Sequence, residues 1–166
     1  MKNKTKKLVL AAIFAAITCV GTLITVPVPM TNGYVNLGDC VVLLSGWVLG
    51  PAYGFLAAAI GSSLADLILG FGLYAPATFV IKGLMALVTY FLFKTLSKGN
   101  GAVVPRIISA FVAELIMVAG YCLFESFVYG FGGAIASVPG NSLQGVFGII
   151  AGTFLAKVLV KKNLFK

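Results

Sequence analysis

Five ionisable or polar side chains stand inside long apolar stretches of this sequence, at spacings that suit recognition of a small polar molecule. Asp66 and Lys82 lie on either side of a short Gly/Pro/Tyr turn in the segment SSLADLILGFGLYAPATFVIKG, so the two charges are able to meet across that turn. Farther along, Glu114, Tyr121 and Glu125 follow one another at separations of seven and four residues, which places them on one face of a helix. A cation, carboxylates and a phenol together offer hydrogen bonds and charge recognition to a ligand.

The same residues form no recognisable catalytic set. The sequence contains no histidine, no HExxH or DxxD pattern, and no serine beside an obvious base. Cys19, Cys40 and Cys122 have neither CxxC spacing nor the spacing of a metal site, and each lies in or beside an apolar run. We therefore predict a protein that is not an enzyme and that holds no metal or cofactor.

The composition indicates that these side chains belong to a membrane protein. Hydrophobic residues make up 60% of the 166 residues and charged residues only 10%, which is too little polar surface for a water-soluble globule. Backbone groups without hydrogen bonds are costly in hydrocarbon, so the apolar runs are expected to be helices. The prediction is an all-α membrane protein.

Gly, Pro, Asn and Lys residues divide the chain into a bundle of six predicted transmembrane helices. These helices cover residues 8–27, 37–50, 52–70, 76–96, 104–128 and 141–161. No shift in composition marks an internal boundary, so residues 1–166 are predicted to form a single domain. Two alternatives leave five spans: a single broken helix across Gly50-Pro51, or cleavage of the first segment as a signal peptide.

Lysine and arginine indicate the orientation of the bundle. Apart from Lys82, they are Lys2, Lys4, Lys6, Lys7, Lys94, Lys98, Arg106, Lys157, Lys161, Lys162 and Lys166, whereas the connections near 28–38, 71–75 and 129–140 have none. Basic residues accumulate on the cytoplasmic side, so we predict cytoplasmic N- and C-termini and three external connections. The net charge of +8 then reflects topology and contact with anionic lipid, not nucleic-acid binding.

With this topology, the polar side chains converge on the outer half of the bundle. Asp66 is expected about one helical turn below the external surface, and Lys82 about a turn and a half below it. The external connections and the start of the sixth helix add Tyr34, Tyr74, Tyr129, Asn141 and Gln144. A cavity open only to the outside favours ligand binding over conduction, because a channel or pump needs polar positions through the whole membrane.

Several motifs along the chain together resemble one known family. The first helix carries strips of small residues at Ala11 with Ala15 and at Ala12 with Ala16, where another helix can approach closely. Downstream stand NLGD, GPAYGF, GSSLADL and YAPATFVIKG, the last two being the more specific. Over nearly its whole length the chain resembles the substrate-binding S components of energy-coupling factor (ECF) vitamin transporters.

That resemblance implies a six-helix protein of a prokaryotic plasma membrane that captures a micronutrient from outside. It also implies docking of the alanine strips on a transmembrane T component driven by two cytoplasmic ATPases. The sequence itself has no GxxxxGK[ST] phosphate-binding loop.

A pyridoxine-type B6 vitamer or the hydroxymethylpyrimidine precursor of thiamine suits the polar residues best, with riboflavin as a further candidate. A self-sufficient secondary transporter with Glu114 as a proton site, or a purely structural membrane subunit, remain alternatives.

The candidate residues divide into two groups. We expect Asp66 to orient or neutralise Lys82 within the binding site. The substrate-binding candidates are Tyr34, Asp66, Tyr74, Lys82, Glu114, Tyr121, Glu125, Asn141 and Gln144, and the partner-docking candidates are Ala11, Ala12, Ala15 and Ala16.

Overall fold

The computed structural model describes residues 2–27, 34–97 and 103–161, which form a helical bundle with one short β-hairpin. In chain order the elements are α1 (Lys2–Leu23), β1 (Thr25–Pro27), β2 (Tyr34–Asn36), α2 (Gly38–Leu49), α3 (Pro51–Ile68), α4 (Ala75–Leu96) and α5 (Val103–Lys161). The predicted first helix, 8–27, extends too far, because Thr25–Pro27 forms β1, and β2 lies where a loop was expected. Its two strands pair antiparallel, with Val26 opposite Val35.

The last helix, α5, consists of two helical segments that meet at Gly130. This residue has φ 78° and ψ 169°, whereas the residues on both sides of it are helical. Glycine adopts a positive φ at little cost, so the chain changes direction here without a loop. The first segment of α5 (103–129) and the second segment of α5 (131–161) replace the predicted fifth and sixth helices. The expected external loop at 129–140 is wrong, since residues 131–140 are helical.

The described residues therefore form five helices, one of them broken, instead of six. The joint between α2 and α3 is a true helix end, because Gly50 has φ 81° and ψ −178° and Pro51 occupies the first turn of α3. Proline suits that position because the first amide groups of a helix have no partner within it. The alternative of one broken helix across Gly50-Pro51 is not what the chain adopts.

Within residues 2–27, 34–97 and 103–161, four helices are long and apolar enough to cross a membrane. They are Lys4–Leu23 within α1, all of α3, all of α4, and Val103–Leu159 within α5. Helix α2 is equally apolar but has only 12 residues, a length of about 18 Å against a hydrocarbon core of about 30 Å. Because α2 ends at the Gly50-Pro51 joint and is this short, its first residues lie well below the opposite membrane surface. The space above that end is available for a binding site.

Small residues let the helices pack closely and set their rotation. At the crossing of α1 and α3, Gly61 faces the backbone carbonyl of Ala15, and a side chain at that glycine would collide with it. Gly46 of α2 faces the backbone of Ala86 in α4 in the same way. Leu43, Met85 and Met117 fill the centre between α2, α4 and the first segment of α5, whereas most other large apolar side chains face outward, as a lipid-exposed bundle requires.

Candidate functional site

A cavity lies at the end of the bundle where the hairpin, the turn between α3 and α4, and the break in α5 come together. Its lining is Thr22, Asn36, Ser62, Asp66, Phe71, Tyr74, Thr78, Lys82, Tyr121, Glu125, Asn141 and Gln144. These residues come from every helix except α2. The described lysines and arginines other than Lys82 lie toward the opposite end; on α4, Lys94 follows Lys82 by twelve residues, or about 18 Å.

The space between the cavity walls is small. It offers about 40 Å³ to the centres of water molecules, within about 460 Å³ of empty space that includes the mouth. The centre of one water molecule needs roughly 10–15 Å³ of such space, so the interior has room for about three waters. A ligand with one aromatic ring therefore requires modest side-chain movement, and a ligand with three fused rings requires much more.

The floor of the cavity is an ion pair between Lys82 and Asp39. The Lys82 ammonium donates to Asp39 Oδ1, and the two side chains are only 2% and 1% exposed. Asp39 lies in the first turn of the short helix α2, where the helix dipole favours a negative charge. Asp39 was not among the predicted binding residues, and it reaches the ammonium because the short helix α2 starts deep enough. The expected role of Asp66 in orienting or neutralising Lys82 stays a prediction. Asp66 lines the cavity above this pair.

Gln144 connects this floor to the hairpin. Its Nε2 donates to Asp39 Oδ2 at 2.6 Å, while its Oε1 accepts from the backbone N–H of Asn36 at 2.8 Å and from Asn36 Nδ2 at 3.2 Å. Asn36 Oδ1 in turn accepts from the backbone N–H of Gly38 at 2.8 Å. One buried amide side chain therefore joins the second segment of α5 to β2 and to the start of α2.

The upper wall combines a carboxylate with aromatic rings. The Tyr74 hydroxyl donates to Glu125 Oε1 at 3.1 Å, and the Ser137 hydroxyl donates to Glu125 Oε2. Burial, with the nearby Tyr129 hydroxyl and the Glu125 charge, raises the pKa of Tyr74, so this phenol stays protonated at neutral pH. The rings of Tyr74 and Tyr121 are 6.5 Å apart, and Lys82 Nζ lies 5.5 Å from the centre of the Tyr121 ring.

Of the nine predicted binding residues, seven line this cavity, one does not, and the side chain of the ninth lies outside the described part of the chain. Glu114 lies behind the floor, 4% exposed, and packs against Gly145 and Gly148. Neither of its carboxylate oxygens has a hydrogen-bond partner among the described residues. Tyr34 belongs to β2, but its side chain is outside the described part of the chain.

Asp39 and several uncharged residues of the lining were not among the candidates predicted from the sequence. The latter are Thr22, Asn36, Ser62, Phe71 and Thr78. A signal for Asp39 was available, since it is one of only four acidic residues in the chain and stands in the quoted motif NLGD. The neutral hydroxyl and amide residues have no such signal, because similar residues occur on every helix.

The alanine strips of α1 point in two different directions. Ala12 and Ala16 are exposed on the outer face of α1. Ala11, by contrast, is 7% exposed and belongs to the core, and Ala15 is partly buried where its carbonyl meets Gly61 of α3. The outer strip is open to a partner helix. Ala11 is buried and Ala15 only partly exposed, and their docking role stays a prediction.

Comparison with known proteins agrees with this fold. The model of the ECF-type riboflavin transporter S component family matches residues 2–161. The thiamine precursor transporter HmpT of Lactococcus lactis subsp. cremoris is 32% identical over 164 residues, covering 96% of this chain and 89% of HmpT. A protein of Pyrococcus woesei, described as an uncharacterized protein in a gap 3'region, is 34% identical over 147 residues, covering 89% of this chain and 96% of that protein.

A solved structure shares the architecture. The S component in "Structure and mechanism of the S component of a bacterial ECF transporter" superposes with a TM-score of 0.76 at 21% identity, over 95% of this chain and 97% of the other. This similarity supports the fold, and it confirms the predicted all-α membrane protein. Together with the family match, it also confirms the predictions of a multi-pass membrane location and of a substrate-binding, non-enzymatic subunit. The chain belongs to the family of ECF-type riboflavin transporter S components.

Proposed function

We propose that this S component captures a vitamin precursor with a single substituted heteroaromatic ring, of the hydroxymethylpyrimidine type. The observation that carries the proposal is the cavity itself, in which the carboxylates of Asp66 and Glu125 and the rings of Tyr74 and Tyr121 surround a space of about 40 Å³ for water centres. Binding sites for small organic molecules are typically apolar hollows with a few convergent polar groups. This cavity has that character.

The polar groups complement an amino- and hydroxymethyl-substituted ring. A carboxylate accepts hydrogen bonds from an exocyclic amine, and Glu125 is held in place for this by Tyr74 and Ser137. Hydroxyl and amide groups at Thr78 and Asn141 supply further donors and acceptors for ring nitrogens and a ligand hydroxyl. The Tyr74 and Tyr121 rings offer flat faces for stacking.

Cavity size favours a single ring over the three fused rings of riboflavin. The pyrimidine is also the kind of compound suggested by the name of HmpT, a thiamine precursor transporter with which the chain aligns over 96% of its length. A pyridoxine-type vitamer has similar dimensions and hydroxyl groups but lacks an amino group on the ring, so it is the second candidate.

A direct binding experiment tests the proposal. The purified protein in detergent is titrated with hydroxymethylpyrimidine, pyridoxine and riboflavin, and we expect the pyrimidine to bind most tightly. Thr78→Val removes a hydroxyl from the lining and is expected to weaken binding by about 3- to 10-fold. Its matched control is Thr95→Val, because the Thr95 hydroxyl is exposed and donates to the Phe91 carbonyl of its own helix. Tighter binding of riboflavin than of the pyrimidine contradicts the proposal.

Energy for uptake is proposed to come from a T component and two ATPases. The chain has no phosphate-binding loop of its own. The exposed strip of Ala12 and Ala16 presents a smooth surface on which a partner helix can pack. Vesicles that contain this chain with the partner subunits are expected to accumulate ligand only when ATP is supplied inside. Accumulation by the chain alone, driven by a proton gradient, would instead support a secondary transporter.

A further inference from the structure

Every acidic side chain of this protein lies at or directly beneath the cavity. The sequence has four acidic residues, Asp39, Asp66, Glu114 and Glu125, and each of them is less than 5% exposed. Asp66 and Glu125 line the cavity, Asp39 forms its floor, and Glu114 packs behind that floor. Buried carboxyl groups need compensation by positive charge, by hydrogen bonds or by protonation.

The chain provides only one cation for these carboxylates. Lys82 is the sole basic residue between Lys7 and Lys94, and none occurs between Arg106 and Lys157. Lys94, Arg106 and Lys157 belong to the opposite end of the bundle, where Arg106 stacks 5.3 Å from the centre of the Phe93 ring. Glu114 is expected to be protonated, because its buried carboxyl oxygens have no hydrogen-bond partner among the described residues. With the other three carboxylates ionised, the formal charge around the cavity is −2, from three negative groups and one positive group.

The hydrogen bonds at Glu125 stabilise a carboxylate without neutralising its charge. Both donors, Tyr74 and Ser137, are uncharged hydroxyl groups. The ammonium of Lys82 already bonds Asp39 at the floor. A positive ligand between Glu125 and the floor would receive a favourable field from several carboxylates and from the faces of Tyr74 and Tyr121.

We propose that the cavity binds its ligand as a cation, with a ring nitrogen protonated and the positive ring directed at Glu125. This inference rests on the proposed function and adds the charge state of the substrate. The groups that face the bound ligand are Asp66 from α3, Tyr74 and Lys82 at α4, and Tyr121 and Glu125 from α5, with Asp39 of α2 and Glu114 behind them. The lining residues from α1 and β2, Thr22 and Asn36, are uncharged.

The test is a count of protons taken up on binding. Isothermal titration of the purified protein with hydroxymethylpyrimidine is repeated in two buffers of different ionisation enthalpy, at a pH above and a pH below the ligand's own pKa. A ligand bound as a cation takes up about one proton above its pKa and none below it. The affinity accordingly rises as the pH falls toward that pKa and then levels off.

A ligand analogue distinguishes a proton on the ligand from a proton on the protein. In the benzene counterpart of the pyrimidine, both ring nitrogens are replaced by CH, so the basic ring is lost. We expect this analogue to bind about 10- to 100-fold more weakly at all pH values and without proton uptake. Equal proton uptake by the analogue would mean that a carboxylate of the protein is protonated, and it would overturn the inference.

Substitutions test whether the charge of Glu125 is the one that binds the cationic ligand. Glu125→Gln keeps one acceptor oxygen, places an NH2 donor beside the other hydroxyl group and removes the charge. We expect about 10- to 100-fold weaker binding of the pyrimidine and loss of proton uptake. Ser126→Ala is the control, because the neighbouring Ser126 hydroxyl bonds the Cys122 carbonyl within its own helix. Tight pyrimidine binding without proton uptake overturns the cation inference alone, whereas no pyrimidine binding by the folded protein at any pH overturns the proposed function with it.

Discussion

Removal of the Lys82 ammonium is expected to destabilise the protein far more than removal of an exposed lysine. In Lys82→Met, the carboxylate of Asp39 stays buried, with the Gln144 amide as its remaining side-chain donor. Deletion of one partner of a buried ion pair costs about 3–5 kcal/mol, because the other charge is left without compensation. For a chain of this length each kcal/mol lowers the melting temperature by about 2–4 °C, so a fall of about 6–20 °C is expected.

Thermal unfolding in detergent measures this effect through the fluorescence of Trp47, the only tryptophan. Its indole Nε1 donates to the Ser109 hydroxyl at 3.0 Å, so the signal reports the packing of α2 on α5. Lys94→Met is the matched control, since Lys94 is exposed and lies 5.6 Å from the centre of the Tyr90 ring. Loss of an exposed charge contact costs about 1 kcal/mol or less, or at most a few degrees.

The identity of the counter-charge is tested with a second substitution. Asp39→Asn in the Lys82→Met background removes the uncompensated carboxylate and should recover a large part of the lost melting temperature. Asp66→Asn in the same background should recover much less. Equal melting temperatures for Lys82→Met and Lys94→Met would refute the energetic argument, and recovery by Asp66→Asn instead of Asp39→Asn would refute the assignment of the pair.

Three further expectations concern the hairpin, the α1–α3 crossing and the outer strip of α1. Gln144→Ala removes the amide that joins β2 to α2, so amide hydrogen exchange in β2 should accelerate about 10-fold or more. Gly61→Ala should cost about 1–3 kcal/mol in thermal unfolding because its side chain meets α1 backbone, whereas Gly72→Ala, with ordinary space around it, should cost little. Ala16→Trp should abolish ATP-dependent uptake without changing ligand affinity, and the lipid-facing control Leu115→Trp should not; full uptake by Ala16→Trp would place the docking surface elsewhere.

Much of the site could be predicted because charges are so rare in this chain. With four acidic residues in an apolar protein, each carboxylate must find a cavity, a cation or water, and this brought Asp66 and Glu125 into the prediction with Lys82. The spacing of Tyr121 and Glu125 on one helical face was equally informative. Both of these residues line the cavity.

The carboxylate that pairs with Lys82, and the depth at which each helix starts, could not be predicted in the same way. Asp39 and Asp66 are both acidic residues near the outer side, and only the short length of α2 decides that Asp39 reaches Lys82. The break in α5 is similar, since Gly130, Gly132 and Gly133 stand close together and only Gly130 adopts a positive φ. Several glycines permit such a turn, and the packing of the surrounding helices selects one.

Composition and the distribution of lysines alone determined that this is an all-α membrane protein with its polar groups gathered toward one side. These properties follow from the cost of exposing polar groups to hydrocarbon, which depends on residue type and hardly on context. Tertiary structure decided which alanine strip faces outward and which carboxylate holds Lys82. Both outcomes depend on the rotation of each helix about its axis and on its depth in the bundle. Rotation and depth are fixed only when small residues such as Gly61 let the helix backbones come into contact.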